Sequence, residues 1–95
     1  MSEKELQDWK SHNQLLQKYY REYCSVRNLN DRSSELKKQQ VLESIICTLE
    51  SYPLKDYVLK NIPTFPSGIR RYGLDRETER CIGEIDKIAN GEILV

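Results

Sequence analysis

The sequence predicts an all-α protein: a small helical bundle of about four helices, with a long N-terminal helix and a loop containing proline and glycine before the last helix. Two observations support this fold class. Apolar residues recur at spacings of three and four through most of the chain, and no alternating run of β-branched residues reaches four. A length of 95 residues suits one domain, so we expect residues 1–95 to form a single helical domain.

The first helix is predicted over residues 3–27. Ser2 and Glu5 have the spacing of a capping box at its start. Asn28 and Asn30 end it, because their side chains bond locally to the backbone. Six residues within this helix follow one another at spacings of 3, 4, 3, 4 and 3, which is the seam of a helix that packs lengthwise against another helix. We call them the helix 1 seam: Leu6, Trp9, Asn13, Leu16, Tyr20 and Tyr23.

A second helix is predicted over residues 34–52, with a start signal at Asp31, Ser33 or Ser34. Its apolar stripe contains Leu36, Leu42, Ile45, Ile46 and Leu49. Pro53 stops this helix or opens a short third one over residues 53–61. The two helices together should supply most of the core.

Residues 62–74 are predicted to be a loop, because two prolines and two glycines interrupt any regular helix there. The apolar side chains within it are expected to dock on the core: Phe65, Ile69 and Tyr72. Asp75 is the predicted N-cap of the last helix, over residues 75–90. The tail, residues 91–95, is apolar to its last residue and is expected to pack on its own core or on a partner.

The helix 1 seam indicates association rather than chemistry. An asparagine within such a seam tends to fix register and partner number, which is the role expected of Asn13. Tyr19 lies beside the seam, and tyrosine is enriched at binding hot spots. We therefore predict protein contacts through the seam and Tyr19, and we expect Leu16→Glu to abolish association while the other helices stay folded.

A second set of residues suggests nucleic-acid contact. Residues 57–73 contain Lys60, Arg70 and Arg71 and no acidic residue, and Arg76 and Arg80 follow. A basic turn leading into a helix is typical of a helix-turn-helix protein. Nearby glutamates and a total of 15 basic against 15 acidic residues count against this alternative, since nucleic-acid-binding domains usually carry a basic excess.

Catalytic, metal and cofactor sites are not expected. The one histidine, His12, has no cysteine at ligand spacing, and no glycine-rich phosphate loop occurs. An enzyme would need His12 to meet a cysteine in the fold. The three cysteines form no disulfide framework, so we expect a cytoplasmic protein, and no apolar run is long enough to span a membrane.

The favoured function is therefore a non-enzymatic helical protein–protein interaction module: a small adaptor, inhibitor or regulator that binds a second copy of itself or a helical partner. The layout of a long polar helix, a proline-containing joint and a capped last helix is similar in style to small regulators of bacteriophages and mobile elements. No specific motif carries that likeness. The alternative is a nucleic-acid-binding transcriptional regulator that uses the basic 60–80 segment.

Overall fold

The computed structural model describes residues 2–93, and these residues form five helices and no strand. The all-α prediction is confirmed. The helices are α1 (Glu3–Val26), α2 (Arg32–Glu50), α3 (Leu54–Asn61), α4 (Ser67–Tyr72) and α5 (Arg76–Ala89). The predicted helices lie within two residues of α1, α2, α3 and α5 at each end.

Two side chains cap helices as the sequence predicts. The Ser2 hydroxyl accepts a hydrogen bond from the Glu5 backbone N–H at 3.2 Å, at the start of α1. The Asp75 carboxylate accepts one from the Thr78 N–H at 2.8 Å, at the start of α5. That bond lowers the pKa of Asp75, because it stabilises the charged form of the carboxyl.

Helix α1 packs against both α2 and α5, and α3 bridges α2 and α5 near the N-terminal end of α1. Ion pairs and hydrogen bonds join the late residues of α1 to the early residues of α5, so these two helices run antiparallel. The side chains that fill the core come from all five helices, and more of them come from α2 and α5 than from the other helices, among them Leu42, Ile45, Ile46, Leu49, Ile82, Ile85 and Ile88.

The prediction of a loop over residues 62–74 is wrong in its centre, where α4 forms a short helix. Pro66 lies directly before α4, a position where its missing N–H is not needed for a helical hydrogen bond. The Gly68 and Arg70 N–H groups bond back to Thr64 and Pro66, which closes the first turns. The prolines thus delimit this helix rather than prevent it.

Two apolar residues differ from their predicted placement, and two others lie outside the described residues. Phe65 and Ile69 are buried as expected, but Tyr72 is 77% exposed. Leu36, predicted to be on the core stripe of α2, is also exposed, because it lies on the side of the helix opposite the buried Ser34 and Val41. The prediction that the tail packs concerns mainly Leu94 and Val95, which lie outside the described residues.

Candidate functional site

The helix 1 seam lies largely within the core of its own chain. Trp9 and Leu16 are buried, and the ring of Trp9 meets the edge of Tyr57 from α3 at a centroid distance of 5.7 Å. Leu6 is half-buried. Tyr19, Tyr20 and Tyr23 are half-buried and pack against the core cluster. That these residues contact a partner stays a prediction, but Trp9 and Leu16 are already covered.

The expected outcome of Leu16→Glu changes for the same reason. The Leu16 side chain has no exposed surface, so a glutamate there would place a charge in an apolar core without a partner. We expect this substitution to unfold the chain, rather than to abolish association and leave the other helices folded.

Asn13 fixes register inside the chain. Its side-chain N–H donates to the Asp86 carboxylate of α5 at 3.0 Å, and its carbonyl oxygen accepts from the Gln17 amide at 3.0 Å. The Gln17 amide also lies 3.4 Å from the Ile82 carbonyl oxygen. A polar group buried in an apolar seam specifies the one alignment that satisfies its hydrogen bonds. The alignment that Asn13 specifies here is that of α1 on α5.

A second polar cluster joins α1 to α5 near the end of α1. The Tyr20 hydroxyl donates to the Glu79 carboxylate at 3.3 Å, and Arg27 pairs with the same oxygen at 2.6 Å. Burial raises the pKa of Tyr20 to about 12, and the nearby Cys24 and Glu79 add to this because each disfavours a phenolate. Two of the tyrosines predicted to contact a partner thus already have contacts within the chain. Tyr20 donates a hydrogen bond to Glu79, and the Lys18 ammonium lies 6.0 Å from the centroid of the Tyr19 ring.

The predicted basic set does not form one continuous patch. Arg70 of α4 makes two hydrogen bonds to Glu43 of α2, at 2.9 and 3.4 Å. Arg80 pairs with two glutamates of its own helix, Glu77 and Glu84. Within residues 2–93, no ion pair is formed by Lys60, Arg71 or Arg76, and these three lie on three different helices.

The end of the seam and the basic segment meet in one groove. It has a volume of about 180 Å³ and lies between the end of α1, the first half of α2 and the end of α4. We call it the Tyr72 groove. Its lining residues are Tyr23, Glu35, Lys38, Gln39, Leu42, Arg70, Arg71, Tyr72 and Gly73.

The rim and floor of this groove have different characters. Leu42 is only 4% exposed and Tyr23 is half-buried, so the floor of the groove leaves little apolar surface open. At the rim, the Arg71 guanidinium carbon lies 5.5 Å from the centroid of the exposed Tyr72 ring. This distance is within the range of a cation–π contact, which holds the two side chains together.

Gly73 shapes the groove from below. Its φ of +80° is a conformation that side chains other than glycine rarely adopt. A Cβ atom at this position would lie 2.7 Å from the Tyr23 hydroxyl oxygen. The glycine therefore allows the chain after α4 to close against Tyr23.

Sequence reasoning found Tyr23, Arg70 and Arg71 but assigned them to two separate functions. It missed Tyr72, which was expected to be docked, and the residues of α2 that form one wall: Glu35, Lys38, Gln39 and Leu42. The signal that could have found the wall is the spacing 35, 38, 39 and 42, which places these four on one helical face. The sequence did not predict α4, the helix that brings Arg71 and Tyr72 to that face.

The described residues assemble no metal site, and the one buried cysteine is not activated. No group of three or more His, Cys, Asp or Glu side chains could hold a metal ion between residues 2 and 93. Burial raises the pKa of the Cys81 thiol, which keeps it in the less reactive protonated form. His12 bonds to the Asp8 carbonyl oxygen one turn before it, at 2.8 Å. No helix in the described part of the chain is long and apolar enough to cross a membrane.

No protein-family model matches this chain, and no curated protein or solved structure is significantly similar to it. The functional argument therefore depends on the groove and the seam alone.

Proposed function

We propose that this chain is a non-enzymatic helical protein-interaction module, a small adaptor, inhibitor or regulator, and that it contacts a partner protein through the Tyr72 groove. The observation that carries the proposal is the position of Tyr72. It is a large aromatic side chain, 77% exposed, next to an arginine at the rim of the groove. Tyrosine and arginine are the residue types over-represented among binding hot spots.

The groove is a better candidate than the seam that the sequence singles out. Burying Tyr72 against a partner would remove apolar surface that the chain itself leaves in water, whereas Trp9 and Leu16 have almost none left to bury. Tyr23 belongs to both sets, and it links the predicted seam to the proposed surface. We favour a partner other than a second copy, since the seam that predicted self-association is already paired with α2 and α5.

A nucleic-acid-binding regulator is the second candidate. The specific observation in its favour is the pairing of Arg71 with the exposed Tyr72 ring, since an aromatic ring beside a cation can stack on an unpaired base. Glu43 and Glu77 neutralise other members of the predicted basic set, which weakens this candidate. We place either activity in a reducing compartment such as the cytoplasm, which three free cysteines favour.

Affinity capture with matched tyrosine variants tests the proposal. The wild-type chain, Tyr72→Ser and Tyr52→Ser are immobilised and exposed to lysate of the source organism, and bound proteins are quantified by mass spectrometry. Tyr52 is 66% exposed but lies outside the groove, so its substitution is a matched control. We expect a protein that is retained by the wild type and Tyr52→Ser and lost with Tyr72→Ser. Equal retention by all three would show that the groove is not the contact surface.

A further inference from the structure

We infer that the Tyr72 groove takes a short acidic segment of the partner protein, in which one apolar side chain packs against the exposed Tyr72 ring and a neighbouring carboxylate pairs with Arg71. This inference rests on the proposed function, because it assumes that the groove is the contact surface, and it names the chemistry of the segment that binds there.

The balance of charge around the groove is positive. Glu35 is paired with Lys38 at 2.9 Å, and Glu43 is paired with Arg70 at 2.9 Å. These four charges cancel in pairs. Arg71 is left without an acidic partner among residues 2–93. Although the chain as a whole has no net charge, its groove presents one uncompensated cation.

Arg71 is suited to a carboxylate ligand. A guanidinium offers its donors in a planar fork that matches the two oxygens of a carboxylate. The contact of Arg71 with the Tyr72 ring, at 5.5 Å, restricts the side chain before any ligand arrives. A restricted side chain loses less conformational entropy on binding, so the contact between Arg71 and Tyr72 increases the affinity for a carboxylate.

The size of the groove sets what can accompany the carboxylate. A volume of about 180 Å³ is smaller than the roughly 300–1,000 Å³ of small-molecule pockets. It is close to a cavity of about 150 Å³, which holds a single benzene ring. The groove therefore has room for one apolar side chain beside the exposed Tyr72 ring.

A peptide fits these charges better than a nucleic acid does. A strand of nucleic acid brings a phosphate with every nucleotide, and its affinity comes from several cations acting together. Here, among residues 2–93, the groove offers only Arg71 as an uncompensated cation, because Lys38 and Arg70 are each paired with a glutamate.

The test begins with selection of random peptides displayed on phage against the full-length chain. We expect the enriched peptides to share an Asp or Glu next to a Leu, Phe or similar residue. A labelled enriched peptide is then titrated by fluorescence anisotropy. Arg71→Gln should weaken its binding about two- to fivefold at low salt, as loss of an exposed charge pair does, and Arg71→Lys should restore part of it.

Arg76→Gln is the matched control. Arg76 also forms no ion pair within the described part of the chain, but it does not line the groove. Its substitution should leave peptide binding unchanged, and circular dichroism should show the same helix content for every variant. An equal loss with Arg76→Gln would mean that only general charge matters, which would overturn the inference.

Two other outcomes separate the inference from the proposed function. If enriched peptides are lost with Tyr72→Ser but lack acidic residues and bind Arg71→Gln as well as the wild type, the groove is the contact surface and the acidic segment is refuted. If no peptide distinguishes the wild type from Tyr72→Ser, both ideas fail. Binding of a labelled oligo-dT strand at ~50 mM salt, lost in Arg71→Gln, would assign the groove to nucleic acid instead.

Discussion

Two adjacent leucines of α1 allow a quantitative test of where the seam lies. Leu16 has no exposed surface, whereas Leu15 is 47% exposed. For Leu16→Ala, the loss of buried methyl groups and the cavity left behind should cost about 3 kcal/mol of the free energy of unfolding. For Leu15→Ala, about half of a leucine side chain is involved, and the cost should be about 0.5–1 kcal/mol.

Urea denaturation measures both variants. With a slope of about 1.2 kcal/mol per molar urea, which suits a chain of this size, Leu16→Ala should lower the midpoint by about 2.5 M. Leu15→Ala should lower it by less than about 0.8 M. Circular dichroism follows the helices, and the fluorescence of the buried Trp9 follows the core at the same time.

The comparison has a clear contrary result. If Leu16→Ala cost no more than Leu15→Ala, the seam would not be core in this chain, and its packing against α2 and α5 would be refuted. Because both substitutions exchange leucine for alanine in the middle of the same helix, a difference in helix propensity cannot produce the expected gap.

Three further predictions concern caps, titration and backbone. Asp75→Ala removes the N-cap bond of α5, and urea denaturation should show a loss of about 1 kcal/mol in the free energy of unfolding. Since the pKa of Asp75 is lowered in the folded chain, this stabilisation should be present above about pH 4 and fade as the pH falls below it. Because folding raises the pKa of Tyr20 to about 12, Tyr20 stabilises the fold fully below pH 10, the ordinary tyrosine pKa, and this stabilisation is lost as the pH rises toward 12. The thermal midpoint should therefore fall less steeply over that range in Tyr20→Phe than in the wild type. Gly73→Ala should cost about 1–3 kcal/mol, because φ is +80° and the new Cβ meets the Tyr23 hydroxyl. Tyr23→Phe should relieve part of that cost, and strict additivity of the two would contradict the contact.

Much of the helical framework follows from local signals. Ser2 and Asp75 act as N-caps where the sequence places them, because a cap depends on residues only three positions away. The spacing of Trp9, Asn13 and Leu16 also indicates a helix that packs lengthwise. A single sequence does not say which helix it packs against, and the structure supplies α2 and α5 of the same chain.

The groove was beyond the reach of the sequence because it depends on tertiary placement. Tyr72 follows the same spacing as Ile69, yet Ile69 is buried and Tyr72 is exposed, because α4 ends where the core ends. Leu36 is exposed for a different reason, since it lies on the face of α2 opposite the buried Ser34 and Val41. Periodicity identifies the side chains able to face a core, and the length of the covering helices decides which of them do.

Sedimentation equilibrium over a concentration series tests the central claim most directly: that the helix 1 seam is closed within its own chain, and that the Tyr72 groove is the surface left for a partner. The account predicts a single species with the monomer mass of 11.2 kDa at every concentration. A dimer of the wild-type chain would contradict this prediction, and its persistence in Tyr72→Ser would show that association depends on a surface other than the groove.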